Sequence, residues 1–211
     1  MKKLEVILAI LIPVFIILKF LLVPLSNILV ASSLLLLALI YYAFGFAFFN
    51  NIRLRNIFKK ESYKDKSALH IVGAISVGMA LSDICMGILF KIQGYPMANT
   101  LLIIGLLSTL IILVIAVIRF LKSRSPYYSQ MFKRIAIIGC LGLVFTFVSD
   151  LALVKIQFRN HPDYVKAYQE YEANPGSNES ETKLNLEYKK ATMSDEAFQK
   201  YLEFIKTDTV K

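Results

Sequence analysis

Apolar residues run in five long blocks, and the polar ones collect between them. The blocks cover Leu4 to Val23, Ile28 to Phe49, Ala68 to Phe90, Ala98 to Ile118 and Ile135 to Val154. Each is rich in Leu, Ile, Val and Phe and lies near the ~20 residues a helix needs to cross ~30 Å of hydrocarbon. A membrane β-barrel would show shorter, alternating strands. The pattern therefore predicts an all-α polytopic membrane bundle of five transmembrane helices over residues 1–156, followed by a polar, helical, extramembrane tail over 157–211. Only Pro24, Leu25, Ser26 and Asn27 separate the first two blocks. Proline and the Ser-Asn pair break and cap helices, so a tight turn is expected there and not one continuous helix. Lys2 and Lys3 resemble the start of a signal peptide, but no small-x-small cleavage pattern precedes the second block, and the first reads as an uncleaved helix.

Composition narrows the class further. The chain is 56% hydrophobic and 18% charged, against roughly 45–50% and about 25% for soluble domains, which excludes an ordinary soluble protein. The net charge of +9 is unevenly spread: residues 1–155 hold 16 Lys/Arg against 5 Asp/Glu, and residues 156–211 hold 8 against 10. The positive excess thus lies in the membrane part, where topology signals sit, and nucleic acid is not an expected partner. One set of alternate loops holds Lys2, Lys3, Arg53, Arg55, Lys59, Lys60, Lys64, Lys66, Arg119, Lys122, Arg124, Lys133 and Arg134; the other set holds Lys91 alone. The positive-inside rule then places the N-terminus and both basic loops in the cytoplasm and the tail on the far side.

In the tail, His161-Pro162-Asp163 reads as a helix start. Tyr164, Tyr168 and Tyr171 follow on one helical face, which predicts a helix lying at the membrane interface, where Tyr is enriched. Asn174 to Asn178 is a loop by composition. A last helix is signalled by Ser194 as N-cap, acids at Asp195 and Glu196, and an apolar face of Ala197, Phe198, Tyr201, Leu202 and Ile205.

Lys19, Asp83 and Asp150 are expected inside the membrane, where charge is expensive and defaults to a site hypothesis. Each lies roughly 6 to 8 Å outward of its span's midpoint at 1.5 Å per residue, so the three are expected to form one cluster. It would serve either as a structural ion cluster or as part of a proton or cation path. Ala74, Gly78 and Ser82 form a small-residue stripe, as do Gly142 and Thr146 below Asp150, and the two stripes are expected to face each other. Cys85 and Cys140 are expected at different depths and unpaired. His70 and His161 are expected on opposite sides of the membrane, so neither metal nor cofactor is anticipated.

Ser82-Asp83 precedes Lys91-Ile92-Gln93 as Ser149-Asp150 precedes Lys155-Ile156-Gln157, a repeated phrase that suggests duplication. The stretch from Gly87 through Phe90, Lys91, Ile92, Gln93, Gly94, Tyr95, Pro96, Met97, Ala98 and Asn99 to Gly105 resembles the hairpin of the gliding-motility and type IX secretion inner-membrane motor protein family (GldL), whose phrase reads Phe-Lys-Ile-x-His-Trp-Pro-Gly-Ala. Phe90, Lys91, Ile92, Pro96 and Ala98 match, and Tyr95 stands for the Trp. Gly94 replaces the His and Met97 the Gly. The family's second helix carries a glutamate implied in proton coupling; here no acid lies between Met97 and Lys122, and Ser108 and Thr109 are the nearest polar positions. The resemblance implies a bacterial inner membrane and an outward turn from Lys91 to Pro96. No catalytic motif is present. The expected role is a non-catalytic scaffold or accessory subunit of an envelope complex, with lipid, a protein partner or a second copy as its contacts. The alternative is an ion-coupled transporter or channel component.

Overall fold

The computed structural model describes residues 2–64 and 66–208; Met1, Asp65 and the end of the expected tail, 209–211, lie outside them. Nine α-helices follow one another among the described residues: α1 Lys2–Phe20, α2 Ser26–Phe49, α3 Ala68–Gln93, α4 Ala98–Ser123, α5 Pro126–Phe147, α6 Asp150–Gln157, α7 Pro162–Ala173, α8 Asn178–Thr192 and α9 Asp195–Asp208. Two short 3-10 turns, Leu54–Asn56 and Lys60–Tyr63, occupy the basic loop between α2 and α3, and no strand is present among the described residues. The fold is all-α, and α2, α3, α4 and α5 are long and apolar enough to cross a membrane. The first helix, α1, has similar length but carries Lys2, Lys3, Glu5 and Lys19, and it stands outside those four.

The chain divides into two compact units, Met1–Val148 and Ser149–Lys211. In the first, α3 is the central helix, packed by α2, α4 and α5, with Val77, Leu81, Ile84, Ile88 and Ile92 fully buried. Missing side chains set its closest approaches. A Cβ on Gly78 would stand 2.5 Å from the Tyr41 carbonyl oxygen and 3.0 Å from the Gly45 Cα, so α2 and α3 touch backbone to backbone. On the other side Gly87 meets Leu102, and Gly105 meets Ile84. Such contacts are how helices associate in lipid, where apolar burial offers no net gain.

The expected fifth span needs correction. Residues 135–154 do not form one helix: α5 starts at Pro126 and ends at Phe147, and Val148 and Ser149 are extended. The Ser149 hydroxyl accepts the Ala152 N–H at 3.2 Å, capping a new helix with Asp150 in its first turn. Serine followed by an acid is a helix-start signal, and here it outweighs the hydrophobicity of the residues on either side. The compact units accordingly meet at Val148–Ser149, ahead of the expected boundary after residue 156. Because α5 begins early, Lys133 and Arg134 are helical residues and not loop charges.

In the second unit α6, α7 and α8 gather around aromatic rings. Tyr164 is buried, with the Phe158 ring at 4.4 Å, Tyr188 at 5.6 Å and Tyr168 at 6.4 Å. The face read as an interfacial stripe therefore supplies the unit's own core through its first tyrosine. Pro162 opens α7 with Asp163 in its first turn, and the Ser194 hydroxyl accepts the Ala197 N–H at 3.4 Å at the start of α9.

Candidate functional site: lysine turns and a buried ion pair

Helix α1 carries charge at both ends, and each end has its own solution. At the α1–α2 turn, Lys19 is buried, and its ammonium donates to Asn27 Oδ1 at 2.7 Å, the Ile92 carbonyl oxygen at 3.0 Å and Gln93 Oε1 at 3.4 Å. Three neutral acceptors surround the charge, an arrangement that satisfies all three ammonium donors without a carboxylate. The expected Lys19–Asp83 pair is not among the ion pairs of the described residues. Asp83 is half-buried in α3, and Asp150 opens α6 in the second unit, beyond the end of the α5 span.

The neighbouring turn, between α3 and α4, contains the residues read as the outer-turn motif. Lys91 is buried and donates to Asn99 Oδ1 at 2.6 Å. Gly94 caps α3 in the left-handed region at φ 69, where a Cβ is unfavourable. The Tyr95 N–H returns to the Phe90 carbonyl at 2.9 Å, and their rings meet edge to face at 5.5 Å. Ile92 is fully buried, and Pro96 stands in the turn just before α4. Thr109 of α4 is buried, and its hydroxyl has no hydrogen-bond partner among the described residues.

At the other end of α1 lies a site the sequence reading passed over. Glu5 is buried and accepts from Arg134 Nε at 2.6 Å and Nη2 at 3.1 Å, a bidentate pair, while the Tyr41 hydroxyl donates to the same carboxylate at 2.7 Å. The guanidinium lies 4.5 Å from the Phe48 ring centroid and 5.2 Å from Phe49. One charged contact thereby ties α1, α2 and α5 together. Beside it a cavity of about 200 Å³, mostly apolar, is lined by Ala9, Pro13, Leu37, Cys85, Ile88 and Ile138 among others. The signal was available: Glu5 is an acid inside the first apolar block, and Arg134 abuts the last.

The small-residue stripes do pack, but not on each other. Ala74 and Gly78 meet α2, whereas Gly142 meets Ile84 of α3, and the Thr146 hydroxyl returns to the Gly142 carbonyl at 2.9 Å. Ser82 is buried within α3. Both cysteines are free, Cys85 buried and Cys140 exposed. Among the described residues no three His, Cys, Asp or Glu side chains gather as metal ligands would.

Residues 74–137 match the family model of the GldL N-terminal domain. The matched segment starts within α3, contains the whole Lys91 turn and α4, and ends in α5. The resemblance drawn from the turn motif thus extends over the α3–α4 hairpin and beyond it. No curated protein and no solved structure matches the chain.

Proposed function

We propose that this chain is a non-catalytic, five-span subunit of a bacterial inner-membrane envelope complex, with its N-terminus and basic loops in the cytoplasm and its tail in the periplasm. The observation that carries the reading is the GldL N-terminal domain match that contains the Lys91 turn, together with the one-sided distribution of Lys and Arg. The span added to α2, α3, α4 and α5 is α1, the first apolar block. Its charges do not bar it from lipid, because Glu5 is matched by Arg134 and Tyr41, and Lys19 by Asn27, Ile92 and Gln93; in between, Leu8, Ile12 and Ile16 are buried. Intramembrane charge is tolerated when it is paired within the protein. The partner is another envelope protein or a second copy of the chain.

The test is in-cell cross-linking followed by purification in mild detergent: a defined stoichiometric partner or oligomer is expected, and a lone monomer after cross-linking overturns the subunit reading. Cysteine labelling at Ser62 and Ser177, with Cys85 and Cys140 removed, should show opposite sidedness. A second reading, an ion path, is favoured by Asp83, a half-buried carboxylate near the middle of α3 with no ion pair among the described residues. Proton flux in liposomes that disappears in Asp83→Asn would support it, and flux no greater than in empty liposomes would remove it.

A further inference from the structure

The GldL match begins at residue 74 and leaves α1 and α2 unassigned, yet the two turns correspond residue by residue. Lys19-Phe20-Leu21-Leu22-Val23-Pro24-Leu25-Ser26-Asn27 aligns without a gap on Lys91-Ile92-Gln93-Gly94-Tyr95-Pro96-Met97-Ala98-Asn99. Lysine, proline and asparagine are shared at identical spacing. The backbone agrees independently. Leu22 and Gly94 are left-handed at φ 60 and 69, and so are Leu25 and Met97 at φ 65 and 66. Leucine and methionine enter that region only when the surrounding chain demands it.

The hydrogen bonds agree too. Leu22 N–H reaches the Lys19 carbonyl at 3.0 Å as Gly94 N–H reaches that of Lys91 at 3.3 Å. Val23 N–H reaches Leu18 at 3.1 Å as Tyr95 N–H reaches Phe90 at 2.9 Å, and Leu29 N–H reaches Leu25 at 3.1 Å as Leu101 N–H reaches Met97 at 3.0 Å. In each turn the lysine ammonium donates to the asparagine eight residues on, at 2.7 and 2.6 Å. Burial follows the same register: Ser26 and Ala98 are buried, and Val30 and Leu102 are fully so.

We propose that α1–α2 is a second copy of the α3–α4 hairpin, so that one chain contains two equivalent turns, each closed internally by its own buried lysine, Lys19 or Lys91. The shared spacing, the two shared left-handed positions and the common lysine-to-asparagine closure are separate observations, and chance similarity of apolar sequence accounts for none of the last two. The copies are also joined: Lys19 of the first reaches the Ile92 carbonyl and Gln93 at the start of the second turn. The duplication does not rest on the envelope-subunit reading.

The experiment is a turn exchange in the full chain, in which residues 20–26 take the sequence of 92–98 while Lys19 and Asn27 stay. The exchanged chain should melt in mild detergent within about 4 °C of the parent, and Lys19 should acylate as slowly as before. A control carrying the same residues with the proline moved one place should melt lower and expose Lys19 to acylation at least fivefold faster. An exchanged chain that behaves like the control overturns the duplication. If the parent chain yields no partner at all, the envelope-subunit reading falls, and the exchange still decides the duplication.

Discussion

In Met1–Val148 large apolar side chains lie inside and outside alike: Ile84 and Ile88 are fully buried, while Ile103, Leu110 and Ile115 of α4 are exposed. In the described part of Ser149–Lys211 the two kinds of residue are more nearly sorted, exposed Phe204 and Ile156 apart, with aromatic rings gathered around buried Tyr164 and charges outward, where half-exposed Lys183 pairs with Glu170 and Lys190 with Asp163. Sorting by polarity is what water enforces. A lipid-facing helix has no such pressure, so the first unit is specified by backbone contacts at glycine and by a few buried polar groups. The comparison teaches where each unit is vulnerable: the first at residues that are small or charged, the second at residues that are aromatic.

The largest effect is expected at Gly78. A Cβ there meets the Tyr41 carbonyl and the Gly45 Cα, backbone atoms that no rotamer change can move aside. Gly78→Val should therefore exceed the ~1–3 kcal/mol of ordinary overpacking and prevent recovery of a folded protein in detergent. Gly139→Val, where nothing lies within 4 Å, is the matched control and should leave the melting temperature nearly unchanged. If both variants melt alike, backbone contact does not specify this unit.

Next in size is the Glu5–Arg134 pair. Among the described residues, Arg134→Met leaves a buried carboxylate with the Tyr41 hydroxyl as its one remaining partner, and breaking a buried pair costs about 3–5 kcal/mol. The double variant Glu5→Leu/Arg134→Met removes both charges and should recover most of the stability, since apolar replacement of a whole buried pair is often neutral. Thermal melts of single and double variants give the coupling. A double variant no better than Arg134→Met would mean that the arginine acts through its stacking on Phe48 and Phe49 instead.

The same contrast explains what the sequence disclosed. Block length revealed the helices of the first unit because crossing a bilayer is a property of composition. The Lys91 turn was legible because glycine, proline and a buried lysine each leave a mark in sequence. The end of the last span was not, because Leu151 to Val154 is as apolar as α5 itself, and only the capping geometry of Ser149 separates them. Charge partners were the least legible. Equal depth suggested that Lys19 belonged with Asp83 and Asp150, but depth along separate helices does not tell which faces meet, and Lys19 turns instead to an asparagine in the adjoining turn. Glu5 was hidden by its position near a chain end crowded with lysines. In the tail, tyrosine periodicity identified α7 but not which way it faced, since both an interface and a small core attract tyrosine.

The smallest effect, and the one confined to the tail, is a dependence on high pH. Burial first, and Tyr188 second, push the Tyr164 phenol up to about 12, and burial does the same for Tyr168. In the unfolded tail both sit near ~10. An acid held protonated by the fold loses its proton more readily once unfolded, so the stabilisation is complete below about pH 10 and falls as pH rises toward about 12. Denaturant titrations of the full chain, followed by tyrosine fluorescence and helical circular dichroism, should show a tail transition whose midpoint drops across that window. Tyr164→Phe keeps the ring contacts with Phe158 and Tyr188 but removes the titrating hydroxyl, so its midpoint should fall less steeply with pH while matching the parent at neutral pH. A parent and variant with the same slope would locate the alkaline sensitivity elsewhere, and the tail's aromatic core would then be no more closed to water than its ion-paired surface.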